Sequence, residues 1–174
     1  CPVSMGSGRH GTERASSRGG TRTRSARCGR PGRDCFRIYY TRRLRNAYQA
    51  VLADEAGPRD ALGRARAAYE AFYARNGHEV GHYFTNLFRI YKFIDGSPSG
   101  DRDGYAEIVR AQLSTYELGL LFYNGLSRQG APFKALMERY AVFEDLPPDL
   151  PFELGDLKLY DRAAYGVNAA NHLD

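Results

Sequence analysis

Tryptophan is missing from this 174-residue chain, and cysteine (three) and methionine (two) are scarce. The three cysteines, Cys1, Cys28 and Cys35, all fall at or before the start of the regular sequence. They cannot staple a fold whose body lies beyond them, and no Cys-x-x-Cys pair offers a zinc ribbon, so the chain reads as a product of a reducing, cytosolic setting. Long apolar runs are lacking too: stretches such as Leu120–Tyr123 fall far short of the roughly 18 residues that cross a bilayer. No segment alternates apolar and polar with a period of two, and no internal repeat is visible. A basic surface is also missing from most of the chain. The formal charge is +5, but Arg9, Arg14, Arg18, Arg22, Arg24, Arg27, Arg30 and Arg33 against Glu13 and Asp34 place +6 in the first 34 residues, leaving −1 for the rest. The length suits one domain with a real core, and near-neutrality of that domain gives no reason to expect it to bind nucleic acid.

Residues 1–32 are rich in Arg, Gly, Ser and Thr and hold almost no large apolar side chain, so they predict a disordered tail. Such an arm can hold RNA through phosphate contacts, although it lacks the aromatics that stack on bases. The opening Cys suggests a truncated or mistranslated front end, with Met5 as an alternative start. From Cys35 onward a 3.6-residue period sets in. Phe36, Tyr40, Leu44, Ala47, Tyr48 and Val51 stripe a first helix ending near Gly57-Pro58. Leu62, Ala65, Tyr69, Phe72 and Tyr73 stripe a second, over about 59–76, with Gly77 as its stop. Val80, Tyr83, Phe84, Leu87, Ile90, Tyr91 and Ile94 stripe a third, over about 78–95. Asp103 is placed to cap a fourth and longest helix, 104–126, apolar around most of its circumference and so expected at the centre. Pro132 opens a fifth with Phe133, Leu136, Met137, Tyr140 and Phe143 inward, closing before Pro147-Pro148. The fold class that follows is all-α, a bundle of four to five helices around a central apolar helix, with a helical domain over 33–166 and a short tail over 167–174.

Three constellations bear on chemistry. His78-Glu79-Val80-Gly81-His82 is an HExxH pattern: two His one turn apart can grip Zn²⁺ while Glu79 takes a proton from metal-bound water, the parts of a metallopeptidase. No third ligand at a recognised spacing accompanies them, so the expectation is no cofactor, with zinc the alternative. Next, two polar stripes: His78, His82, Asn86 and Arg89 on the third helix, and Arg110, Ser114, Glu117 and Asn124 on the fourth. If these helices pack antiparallel, the stripes would share a groove fit for a phosphate or for acid/base work. Finally, Arg75 and His82 loosely resemble the Arg-x4–6-His signature of helical HEPN ribonucleases, with Arg on the scissile phosphate and His as acid or base, although Gly77 is expected to break the helix between them.

The blocks Gly81-His82-Tyr83-Phe84, Asn86-Leu87, Lys92-Phe93-Ile94, Arg110-Ala111-Gln112-Leu113-Ser114, Tyr116-Glu117 and Leu120-Leu121-Phe122-Tyr123-Asn124 carry a family pattern. Together with Gly32–Phe36 and Tyr160–Gly166, they resemble the phage abortive infection family (AbiC-like) over about 32–166. Two features depart from that pattern: Thr85 stands where members have Arg, and the Arg/Gly tail occupies the place of apolar spans. The resemblance implies a bacterial defence role in which infection arrests or kills the host cell, and it supplies no reaction. From motif position and chemistry, His82, Arg110 and Glu117 are the catalytic candidates, with Asn86, Arg89, Gln112, Ser114 and Asn124 as further groove residues. The partners expected are a phage or host factor, a second copy of the chain, and RNA on the tail. The location expected is cytoplasmic for the chain as it stands, and membrane-associated if an apolar segment precedes it.

Overall fold

The computed structural model describes residues 34–98 and 100–173. The Arg/Gly-rich tail expected over 1–32 lies outside the described residues. Within them the fold is all-α, as the periodicity predicts, and no strand occurs among the described residues. Helix α1 (Asp34–Ile38) passes through a π-helical turn (Tyr39–Leu44) into α2 (Arg45–Ala53). The wider π turn changes the register, so that the consecutive Tyr39 and Tyr40, which an α-helix would splay by about 100°, are both buried. Tyr39 meets Phe72 edge-on, and Tyr40 stacks on Phe152.

Helix α3 (Ala61–Gly96) is one rod of 36 residues. The second and third helices expected from the sequence are therefore fused, and Gly77 is not a stop. The reason is Tyr73: its ring lies forward along the helix, over Gly77 and Gly81. A Cβ at Gly77 would sit 2.7 Å from the ring, and one at Gly81 2.6 Å from its hydroxyl. Both glycines serve that close approach from within the helix. Asp60 caps the start, accepting from the Gly63 amide at 2.8 Å.

The expected fourth helix is divided into α4 (Arg102–Arg110) and α5 (Thr115–Leu126). Asp101, rather than Asp103, caps α4 by accepting from the Gly104 amide. At the break Ser114 takes extended backbone, and Glu117 accepts from the Ser114 amide at 2.7 Å and from its hydroxyl, a capping interaction that starts α5 afresh. The break changes the direction of the stripe, which is why Ile108 and Ala111 are exposed instead of continuing the apolar face of α5. Leu62 and Ile90, also read as inward, are exposed. Helix α5 is the centre of the bundle: every residue from Glu117 to Leu126 is buried. Gly119 lets Tyr40 pack against it and Gly125 does the same for Tyr160.

Helix α6 (Ala131–Arg139) stops earlier than expected, at a turn where Ala141 adopts φ 46°. Two 3₁₀ segments, Leu154–Leu159 and Arg162–Asn168, and α7 (Ala169–Leu173) then close the bundle. Gly166, at φ 51°, supplies the conformation that joins the two turns of the second segment. The stretch 167–174, expected as a tail, thus includes a packed helical turn. His172 is buried there, stacked on Tyr165 with its ring nitrogens 2.8 and 2.6 Å from the Asn168 and Leu146 carbonyls.

Tyrosine hydroxyls do much of the joining. Tyr160 donates to the Phe122 carbonyl and Tyr165 to that of Leu157, each at 2.7 Å, and Tyr40 donates to Leu150. A buried phenol needs an acceptor, and these tie the irregular C-terminal segment to the bundle and within itself.

Candidate functional site

Because α3 does not break at Gly77, Arg75 and His82 lie two turns apart on one continuous helix, and His78, His82, Asn86 and Arg89 follow along the same side. All five side chains are exposed. Glu79 accepts a hydrogen bond from the Tyr39 hydroxyl, which binds α3 to the π-helical turn, and the nearest His78 nitrogen is 3.8 Å from its other oxygen. Among the described residues no group of three or more His, Cys, Asp or Glu side chains is placed to hold a metal.

The second polar stripe goes elsewhere. Arg110 turns toward the end of α6: its guanidinium is 2.8 Å from Glu144 and donates at 3.1 Å to the carbonyl of Ala141, the residue with positive φ. Ser114 and Glu117 form the α5 cap, and the second Glu117 oxygen accepts from Tyr83 at 2.8 Å. Asn124 is buried and donates at 3.0 Å to the Tyr69 hydroxyl. Gln112 sits exposed at the break between α4 and α5. The shared groove expected between the two stripes is therefore not formed, because the break at 111–114 sends Arg110 toward the end of α6 while α5 draws Glu117 and Asn124 into the packed interior. The closest counterpart is a cavity of about 100 Å³ lined by Gly81, Thr85, Asn124 and Gln129 among others; of the candidate residues, Asn124 lines it.

A polar cluster that the spacing does not signal lies beside Tyr123 of α5. Asp156 is fully buried and accepts from Tyr123 at 2.7 Å and from Tyr48 at 3.0 Å. Burial raises its pKa above the ordinary carboxylate value, against the pull of the two phenols. The same burial, reinforced by Asp156, pushes both tyrosines well above the usual phenol range. Tyr48 also reaches Glu153 at 3.1 Å, which pairs with Arg64 at 2.8 Å. The sequence signal was present but weak: an acid inside the apolar run Leu150–Tyr160, in a chain with 13 tyrosines whose buried hydroxyls need acceptors.

The described residues thus make a tyrosine-knit helical domain with one long polar helix face. Residues 75–150 match the family model described as "Putative phage abortive infection protein". The family resemblance read from the sequence holds in this segment, which is shorter than the span of about 32–166 over which it was drawn, and it includes the exposed face of α3 from Arg75 onward. No curated protein and no solved structure matches the chain. No helix among the described residues is long and apolar enough to cross a membrane.

Proposed function

We propose that this chain is an antiphage defence protein of the abortive-infection type, and that it works as a binding module through the exposed face of α3 formed by His78, His82, Asn86 and Arg89. One observation carries the reading. Within the family-matched segment, these side chains are exposed along one continuous helix, whereas Arg110, Ser114, Glu117 and Asn124 are engaged in holding the fold. The partner is a phage or host factor. In cells challenged with phage, the combined variant His82→Ala, Asn86→Ala, Arg89→Ala is expected to lose at least tenfold of the protection while its melting temperature and helical signal stay at wild-type values. Full protection by this variant would overturn the reading.

A ribonuclease reading keeps a place because α3 runs unbroken between Arg75 and His82, removing the interruption that the sequence suggested. It requires RNA cleavage in infected cells that both Arg75→Ala and His82→Ala abolish and that a chelator leaves intact. A zinc peptidase would instead respond to Glu79→Gln and to the chelator.

A further inference from the structure

Helices α2 and α3 leave a cleft of about 500 Å³ between them, on residues that none of the motifs singled out except Arg75. Its chemistry is graded from one end to the other. At one end stand Arg43, Arg75 and Asn76; α2 then contributes Asn46, and Asp54 follows its last residue, eleven positions beyond Arg43. That separation is about 16 Å along a helix. The wall between is apolar and mostly small or flat: Ala47, Ala50, Ala71 and Phe72, with Val51 toward the Asp54 end.

The basic end is built rather than incidental. Asn76 is 2% exposed, its amide nitrogen donates to the Phe72 carbonyl at 2.8 Å, and its oxygen accepts from the Arg43 guanidinium at 2.7 Å. Arg43 also lies over the Tyr39 ring, 5.6 Å from its centroid. A buried amide and an aromatic face therefore fix the direction of Arg43. Among the described residues none forms a hydrogen bond or ion pair with Arg75, which lines the same end. Asp54, the one carboxylate in the lining, is at the far end, and one of its oxygens accepts from the Ala56 amide at 3.0 Å.

We propose that this cleft binds a nucleoside phosphate. The phosphoryl group sits at Arg43 and Arg75, whose planar forks match its oxygens. The base lies on the alanine wall, where the lack of bulky side chains admits a flat ring, and Asn46 and Asp54 offer donors and acceptors to its edge or to the sugar hydroxyls. The volume is in the range of small-ligand sites. A longer nucleic-acid strand fits less well, since the cleft runs from cationic to anionic instead of continuing a basic track.

The test is calorimetric titration of the purified full chain with ADP, GDP, adenosine, guanosine and inorganic phosphate. One diphosphate at least is expected to bind one-to-one and at least tenfold more tightly than its nucleoside and than phosphate. Arg75→Ala should weaken it tenfold or more, and Ala50→Leu, which fills the wall, should weaken the diphosphate without changing the response to phosphate. Both positions are exposed, so the variants are expected to melt as wild type does. Absence of binding below millimolar concentration, phosphate binding as tightly as the nucleotides, or an Arg75→Ala chain that binds undiminished would each overturn the proposal. So would an oligonucleotide that outcompetes the mononucleotides while being indifferent to Ala50→Leu. The site does not depend on the defence role of the exposed α3 face: binding is read on the isolated protein, and protection is read in infected cells.

Discussion

Asp156 and Arg110 illustrate how side chains of catalytic type serve the fold. Asp156 is fully buried and its pKa is raised, chiefly by desolvation, so its neutral form is the one the folded state favours. The stability it contributes is therefore complete below the ordinary carboxylate pKa of about 4 and is lost as pH rises through the elevated value. Asp156→Asn keeps the shape and an acceptor for the phenols but cannot ionise. Urea denaturation at pH 4 and pH 8 is expected to show the stability difference moving in favour of Asp156→Asn at the higher pH, whereas Asp156→Ala loses about 2–4 kcal/mol by removing the acceptor of the Tyr123 hydroxyl, leaving Tyr48 to Glu153 alone, and opening a cavity. A constant difference between Asp156→Asn and wild type across that range would contradict the assignment. Arg110 has a comparable structural duty. It spans from α4 to the Ala141 turn and pairs with Glu144, both side chains being mostly buried. Arg110→Ala should lower stability by about 2 kcal/mol, visible as a fall in melting temperature. Lost protection in that variant would thus accompany a weakened fold. Neither duty was legible from helical spacing, because the contacts that define it come from irregular parts of the chain 31 and 33 residues away, the Arg110 to Ala141 and Tyr123 to Asp156 bonds.

At the scale of the element, the periods were readable and the boundaries were not. The stripe Val80, Phe84, Leu87, Tyr91 and Ile94 is buried as the spacing required. Gly77 misled because a glycine that ends a helix and a glycine that makes room for a neighbouring ring look alike in sequence; the Tyr73 ring distinguishes them. The opposite error occurred at 111–114, where Ser114 and Glu117 stand at capping-box spacing and the chain does restart, yet the flanking apolar residues suggested one uninterrupted helix. Since Glu117 accepts at once from Ser114 and from Tyr83, Glu117→Ala is expected to cost about 1–3 kcal/mol, combining a lost cap with the loss of the Tyr83 to Glu117 bond. Glu117→Gln, which can keep one acceptor, should cost less. Thermal melting of the pair checks the order.

For the whole molecule, the all-α class and the central place of α5 followed from composition and from its girdle of apolar residues, and both are present. The way the C-terminal third returns to cover that helix did not follow, because 3₁₀ segments have no long amphipathic period to read. That covering is tight. A Cβ on Gly125 would come 2.2 Å from the Tyr160 hydroxyl and 2.8 Å from the Met137 sulfur. Gly125→Ala is accordingly expected to destabilise by about 1–3 kcal/mol through overpacking, measured by denaturant unfolding.

The continuity of α3 has a consequence for how the family match divides the molecule. The matched segment begins at residue 75, in mid-helix, and ends at 150, ahead of Asp156, Tyr160 and Tyr165. Excised on its own, it would lose the rings of Tyr40, Tyr48 and Tyr69 from one side of α5 and the C-terminal lid from the other, exposing the most apolar helix of the chain to solvent. The border of the family match and the border of independent folding do not coincide here: a 75–150 fragment should give a shallow, non-cooperative melt, and 34–173 a single sharp one.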